Sequence, residues 1–318
     1  MHSDLSTVAL DVLGVLRARG PDALSFLQGQ LSNDMMRLTG DRALLAGYHN
    51  PQGRVIALLR VLQLAPEDVL AVLPRELVPT VATRLSKFTL RAKVKLADDS
   101  QSWQITGLLG AVGGNAAQRA AGPAAAACLV AALPAAVDSV AHIAGAVAAQ
   151  VAQHPARWLL LAPHATRSPL ADAGAMAPLE TWRGVAIASG EPQVYAATSE
   201  EFVAQMLNLD AVGAIAFDKG CYTGQEVIAR AHYRGRVKRR MQRFVTTAPQ
   251  ALKPGDAGTL ADGRAYKVVD AVQRADGRCE FLAVVPLITG ESEPVAPGAA
   301  IAERLNAETL PLPYSLPS

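Results

Sequence analysis

The sequence predicts an α+β fold that ends in a small all-β domain. Over residues 12–96, hairpin signals stand beside single amphipathic helices instead of alternating strictly strand by helix, which is the pattern of α+β layers and not of a doubly wound parallel sheet. After Gln242 the helical periodicity stops. Short strand-like runs follow, separated by Asp262-Gly263 and Asp276-Gly277, both hairpin-turn sequences.

Taken in order, residues 12–16 read as a strand. Gly20-Pro21-Asp22 opens a helix, where Pro is tolerated because its missing N–H has no partner in the first turn, and Leu24, Leu27, Leu31 and Met35 recur at helical spacing. Residues 43–48 and 54–64 are strands joined by the turn Asn50-Pro51-Gln52-Gly53. Residues 69–73 form a strand, 75–88 a helix with Leu77, Val81 and Leu85 on one face, and 92–96 a further strand. The alanine-rich stretch 120–151 is low-complexity sequence with either helix or strand character. Beyond it, 158–161 is a strand, 199–207 a short helix, and 213–217 a strand leading into a cysteine motif. Residues 244–247, 258–260, 265–271 and 279–285 are the strands of the terminal domain, which begins near 242.

A chain of 318 residues supports two or three domains. Its net charge of +2 means that any affinity for a polyanion comes from a local patch. Three cysteines without a C-x-x-C pair argue against a disulfide framework and a structural zinc site, and the scattered histidines assign no metal. The N-terminus lacks a basic n-region, Asp11 interrupts the apolar run 5–16, and Pro123, Pro134, Asp138 and His142 break the alanine-rich stretch. A cytoplasmic protein that does not meet the membrane is expected. No coiled-coil heptads occur, so a monomer is expected. The P-loop, Rossmann and nucleophile-elbow signatures are absent.

The strongest local signal is Lys219-Gly220-Cys221-Tyr222-Thr223-Gly224-Gln225-Glu226. Thr223 and Glu226 have capping-box spacing, which predicts a helix from Gly224 to Ala231 with Thr223 as its N-cap. Cys221 then lies just before a helix N-terminus with Lys219 close by, and both favour a thiolate. Gly220 and Gly224 permit unusual dihedrals or close backbone approach. Free cysteines mostly serve as small hydrophobes, and Cys128 and Cys279, in apolar runs, are read that way; Cys221 is read as functional. Between Arg230 and Arg243 stand seven basic residues and no acid: Arg230, Arg234, Arg236, Lys238, Arg239, Arg240 and Arg243. A solvated face explains most such runs, but arginine forks also suit phosphate or carboxylate. Trp182 is either a core residue or a flat face for an aromatic ligand.

The eight-residue motif closely resembles the signature of the YgfZ family of folate-binding proteins. The likeness extends to Gly20-Pro21-Asp22-Ala23, Phe26-Leu27-Gln28-Gly29-Gln30, the 182–192 stretch, Gln205-Met206-Leu207-Asn208-Leu209 and Leu312-Pro313-Tyr314-Ser315-Leu316. The resemblance implies an aminomethyltransferase-like fold. Two α+β, ferredoxin-like lobes would be interleaved over 1–241, one largely 43–165 and the other 1–42 with 166–241, with a β-barrel at 242–318, around a central opening for tetrahydrofolate or a derivative. It implies a role in assembly or repair of iron–sulfur proteins, among them tRNA-thiolating enzymes, and so an indirect link to tRNA modification. Cys221 and Lys219 are then the catalytic residues. Folate contacts fall to Trp182, Leu13, Tyr222, Gln225, Glu226, Arg230 and Arg234, with Gly220 and Gly224 shaping the backbone. Two positions depart from the family. At about Leu13 the best known relative carries the second of its two folate-site tryptophans, and its loss here removes a ring contact worth about 1 kcal/mol. Ala204 stands where they usually carry proline. A one-carbon transferase and a direct tRNA-binding module are the competing readings; the first needs a positioned carboxylate, for which no Asp or Glu stands in an equivalent context.

Overall fold

A computed structural model describes residues 5–110, 130–165, 174–235, 237–248, 251–287 and 304–317. The chain forms two compact units, one of Met1–Tyr48, Ala57–Trp182 and Ala214–Thr223, the other of His49–Ile56, Arg183–Gly213 and Gly224–Ser318.

The first unit carries two sheets. Strands β1 (Leu5–Ala9), β2 (Leu13–Arg19), β3 (Leu44–His49), β4 (Val55–Ala65), β5 (Asp68–Pro74) and β6 (Lys95–Asp98) are interrupted by helices α1 (Ala23–Gln28) and α2 (Val78–Ser86). Five of these strands pair in the order β3-β4-β5-β2-β6. Helix α2 buries Val78, Val81 and Leu85; Val81 and Leu85 are on the expected face, and Leu77 is buried from the 3-10 turn just before it. Helix α1 is shorter than its apolar spacing predicts. It stops at Gln28, whose side chain accepts from the Met35 N–H at 2.7 Å and donates to Asp34 at 2.9 Å. These local side-chain bonds offer the backbone an alternative to helix, and Leu31 and Met35 are buried from a loop and a 3-10 turn instead.

The second sheet of this unit adds β7 (Trp103–Gly110), β8 (Val140–Ile143), β9 (Ala146–Gln153), β10 (Ala156–Pro163) and β11 (Ala175–Met176) in the order β11-β1-β7-β10-β9-β8. Its core gathers Leu5, Leu108, Ala148, Trp158 and Leu160. The end of the alanine-rich stretch is thus strand. The first five residues of β9 are all buried, so it shows no alternation to read. Residues 111–129, with Cys128, lie outside the described residues. Residues 213–217 form no strand. They are held by the Ala216 N–H, which donates to Ser32 O at 3.0 Å, and by Ser32 Oγ, which donates to Ala214 O at 2.7 Å.

In the second unit, β12 (Arg239–Thr246), β13 (Ala257–Thr259), β14 (Ala265–Gln273), β15 (Cys279–Pro286) and β16 (Glu308–Leu310) form a sheet in the order β13-β14-β15-β12-β16. Both Asp-Gly turns join neighbouring strands of it. Its core stacks Phe244 on Phe281 with ring centroids 5.3 Å apart. Helix α3 (Leu179–Ala188) crosses from one unit's residues into the other's after Trp182, and α4 (Gln225–Tyr233) follows the cysteine motif. Segments 183–213 and 224–241 group with the C-terminal sheet. The Arg240–Asp210 and Arg183–Asp270 ion pairs tie them to it. The expected helix 199–207 forms only a 3-10 turn at its end, Ala204–Leu207, and a second such turn, Ala196–Thr198, precedes it. Its middle is drawn onto the start of β4, where the Val55 N–H donates to Phe202 O and the Glu200 N–H to Val55 O, each at 2.8 Å.

Candidate functional site

The cysteine motif begins in the first unit on a loop with no regular structure of its own, and a lysine compensates. Lys219 Nζ donates to the main-chain carbonyls of Gln28 and Leu31 at 2.6 Å and of Asn33 at 2.9 Å. It lies 5.0 Å from the centroid of the Tyr222 ring, within cation–π reach. Burial pushes this ammonium down to about 8, against the pull of Asp34. Tyr222 is buried, which pushes its hydroxyl up to about 12. Between these two anchored side chains Cys221 is exposed. Two more links hold the approach to the loop: Arg37 pairs with Asp218 at 2.9 Å, and Ser32 Oγ accepts from the Gly47 N–H at 2.8 Å. Cys279, by contrast, is buried on β15, and burial pushes its thiol up.

The loop 28–34 carries little sequence signal for its part in this arrangement. It lies about 190 residues before Lys219 in the chain, and its contribution is mostly main-chain carbonyls, which leave no residue-type signature. The polar run Asn33-Asp34 after Gln28-Gly29-Gln30 within an apolar helix pattern was the available hint.

Also in the first unit, the half-buried Trp182 on α3 packs on β7 at Gly107, where an added Cβ would lie 2.5 Å from the indole. The guanidinium of buried Arg157 on β10 sits 5.1 Å from the ring centroid. The other two tryptophans are inside: Trp103 donates to Asp99 at 3.0 Å and Trp158 to Pro134 O at 2.8 Å. Leu13 opens β2 opposite Pro74 and is half-buried.

In the second unit the predicted capping box does not form. The N-cap of α4 is Gly224, not Thr223, and no side chain caps the helix. The reason is steric. Gly224 takes φ +83°, and an added Cβ would lie 2.6 Å from Asn50 O in the turn before β4, so only glycine fits. Gln225 starts the helix half-buried; Glu226 turns outward and pairs with Arg230 at 2.9 Å, both exposed. Arg234 ends the helix, exposed.

The basic run does not act as one patch. Arg240 is buried and forks onto Asp210 through two bonds of 2.9 Å, and Arg243 pairs with buried Glu280 at 2.5 Å. Arg234, Lys238 and Arg239 remain exposed, and Arg236 lies outside the described residues. Beside Trp182 in sequence, Arg183 reaches buried Asp270, which also accepts from the Tyr195 hydroxyl at 3.0 Å. Burial raises the Asp270 carboxyl and the Tyr195 hydroxyl above their ordinary values. Among the described residues, no group of His, Cys, Asp or Glu could hold a metal ion. Nor is any helix there long and apolar enough to cross a membrane.

No protein-family model matches the chain. It is 32% identical over 325 aligned positions to the tRNA-modifying protein YgfZ of Escherichia coli O17:K52:H18 strain UMN026, covering 98% of this chain and 94% of that protein. The protein of the same name from Escherichia fergusonii is 31% identical over the same shares. Among solved structures, the glycine cleavage system aminomethyltransferase T from Bartonella henselae superposes with a TM-score of 0.68 at 14% identity, covering 90% of this chain and 78% of that one. At that identity the likeness concerns the fold, a mixed α+β architecture.

Proposed function

The chain belongs to the YgfZ family of tRNA-modifying proteins, and we propose that it is a folate-binding accessory protein for assembly or repair of iron–sulfur proteins, acting in the cytoplasm. In this reading it supports tRNA modification, thiolation in particular, through its clients, and Cys221 is the residue on which the role centres. One observation carries the reading: Cys221 stands exposed while the side chains on either side of it, Lys219 and Tyr222, are tied down. A thiol kept only for packing is placed as Cys279 is, inside a strand.

The residues fit a reduced folate in part. Trp182 is half-buried, so some of its ring is open to a flat partner, although Gly107 and Arg157 already occupy much of its surroundings. Leu13 supplies an apolar contact and no ring. Exposed Arg230 and Arg234 offer cations suited to carboxylates. When bound, a reduced folate would supply a one-carbon-carrying ring system, against which Trp182 and Leu13 of the first unit would pack. The two lobes built on the N-terminal sheets and a barrel built on the C-terminal one belong to the same reading.

The test is calorimetric titration of tetrahydrofolate and folinic acid into wild type and Trp182→Phe. Phe keeps a ring against Gly107 and Arg157, so lost binding reports the indole and not a collapsed site. Saturable binding that weakens several-fold in the variant supports the reading; no binding to wild type removes folate from it.

A further inference from the structure

We propose that Lys219 is a positioning residue: its amino group, bound by the carbonyls of Gln28, Leu31 and Asn33, locks the loop that presents Cys221 onto the segment after α1. This rests on the reading of Cys221 as the functional thiol, and it assigns Lys219 a role other than activating that thiol by charge. An ammonium has three N–H donors, and here carbonyls accept from it at three positions. The first of those carbonyls belongs to Gln28, the last residue of α1, where main-chain oxygens lack helical partners, and the other two lie on the segment that follows. One side chain therefore satisfies a helix end and fastens a distant loop. The groups around it are arranged for the same purpose: Asp34 is held by the Gln28 side chain and Arg37, Arg37 reaches Asp218 next to the lysine, and the Tyr222 ring closes over Nζ.

The experiment compares wild type, Lys219→Met and Lys219→Gln without folate, so its outcome is independent of the folate titration. Amide hydrogen exchange is followed along the chain, and alkylation of Cys221 by iodoacetamide is followed against pH by peptide mass spectrometry. In Lys219→Met, exchange in segments 28–34 and 214–224 should rise about tenfold or more, as expected for loss of one or more net hydrogen bonds, while β12, β14 and β15 keep their protection. The alkylation rate at high-pH plateau should change several-fold with its pH midpoint unmoved. Lys219→Gln, a neutral donor, should recover part of both. A midpoint that rises while exchange and plateau hold overturns the proposal in favour of activation by charge. Unchanged behaviour, or exchange that rises along the whole chain in both variants, overturns it as well.

Discussion

Arg240 and Lys219 are both cations withdrawn from water, but they are satisfied in opposite ways. Arg240 faces a carboxylate: Asp210 takes both of its terminal nitrogens, side chains of both residues are under 5% exposed, and the pair is neutral. Lys219 faces three carbonyl dipoles in the first unit, with Asp34 acting only from a distance. The first arrangement suits a framework, because removing either member strands a buried charge. The second ties down a loop with a charge that is only partly compensated, and the exposed thiol lies two residues away in sequence. Ion pairing thus marks the part of the basic run that builds the fold, and carbonyl ligation marks the loop that carries the exposed thiol.

The contrast can be broken at several points. Arg240→Met leaves Asp210 buried without its partner and should cost about 3–5 kcal/mol in urea denaturation; a loss under about 1 kcal/mol would remove Arg240 from the framework. Gly107→Ala forces a methyl against the Trp182 ring, itself beneath the Arg157 guanidinium. It should cost about 1–3 kcal/mol, and displacement of the indole should register as a shift in its fluorescence. Lys219→Met should cost only about 1 kcal/mol globally, since lost hydrogen bonds are offset by relief of a buried charge.

The pH dependence of that last difference carries a sign. The Lys219 ammonium is pushed down to about 8 from an ordinary lysine value of 10.5. Between these values the folded chain binds fewer protons at this site than the unfolded chain, so this site's contribution to stability rises with pH. Wild type should therefore gain on Lys219→Met between pH 7.5 and 9.5, as read from paired urea midpoints. Tyr222, pushed up to about 12, acts in the opposite sense only above about pH 10. The smallest effect belongs to Glu226→Ala, which removes an exposed pair on α4 and should change stability by less than about 0.5 kcal/mol.

What was legible in the sequence follows from which interactions are local. The Asn50–Gly53 turn, the two Asp-Gly hairpins and the buried face of α2 were readable because turn chemistry and periodicity lie within a few residues. Strand β9 was not, because alanine buried on both faces shows neither alternation nor bulk. The capping box failed through a distant carbonyl: Asn50 O crowds Gly224, and helix α4 starts there with its N-cap in a conformation that Thr223 spacing could not foretell. At the site, the eight-residue motif was fully visible. Its anchor was not, since Lys219 recognises backbone and any residue at 28, 31 or 33 offers a carbonyl. The division of the seven-residue basic run was hidden for a related reason, because Asp210 and Glu280, which claim Arg240 and Arg243, lie well away from it in sequence.

The most direct test of the account compares Cys221→Ser with Cys279→Ser in cells deprived of their own copy of the protein, with thiolated nucleosides in tRNA measured by mass spectrometry. The account predicts that Cys221→Ser fails to restore them while Cys279→Ser, once its folded yield is matched, does so. Full restoration by Cys221→Ser would contradict it.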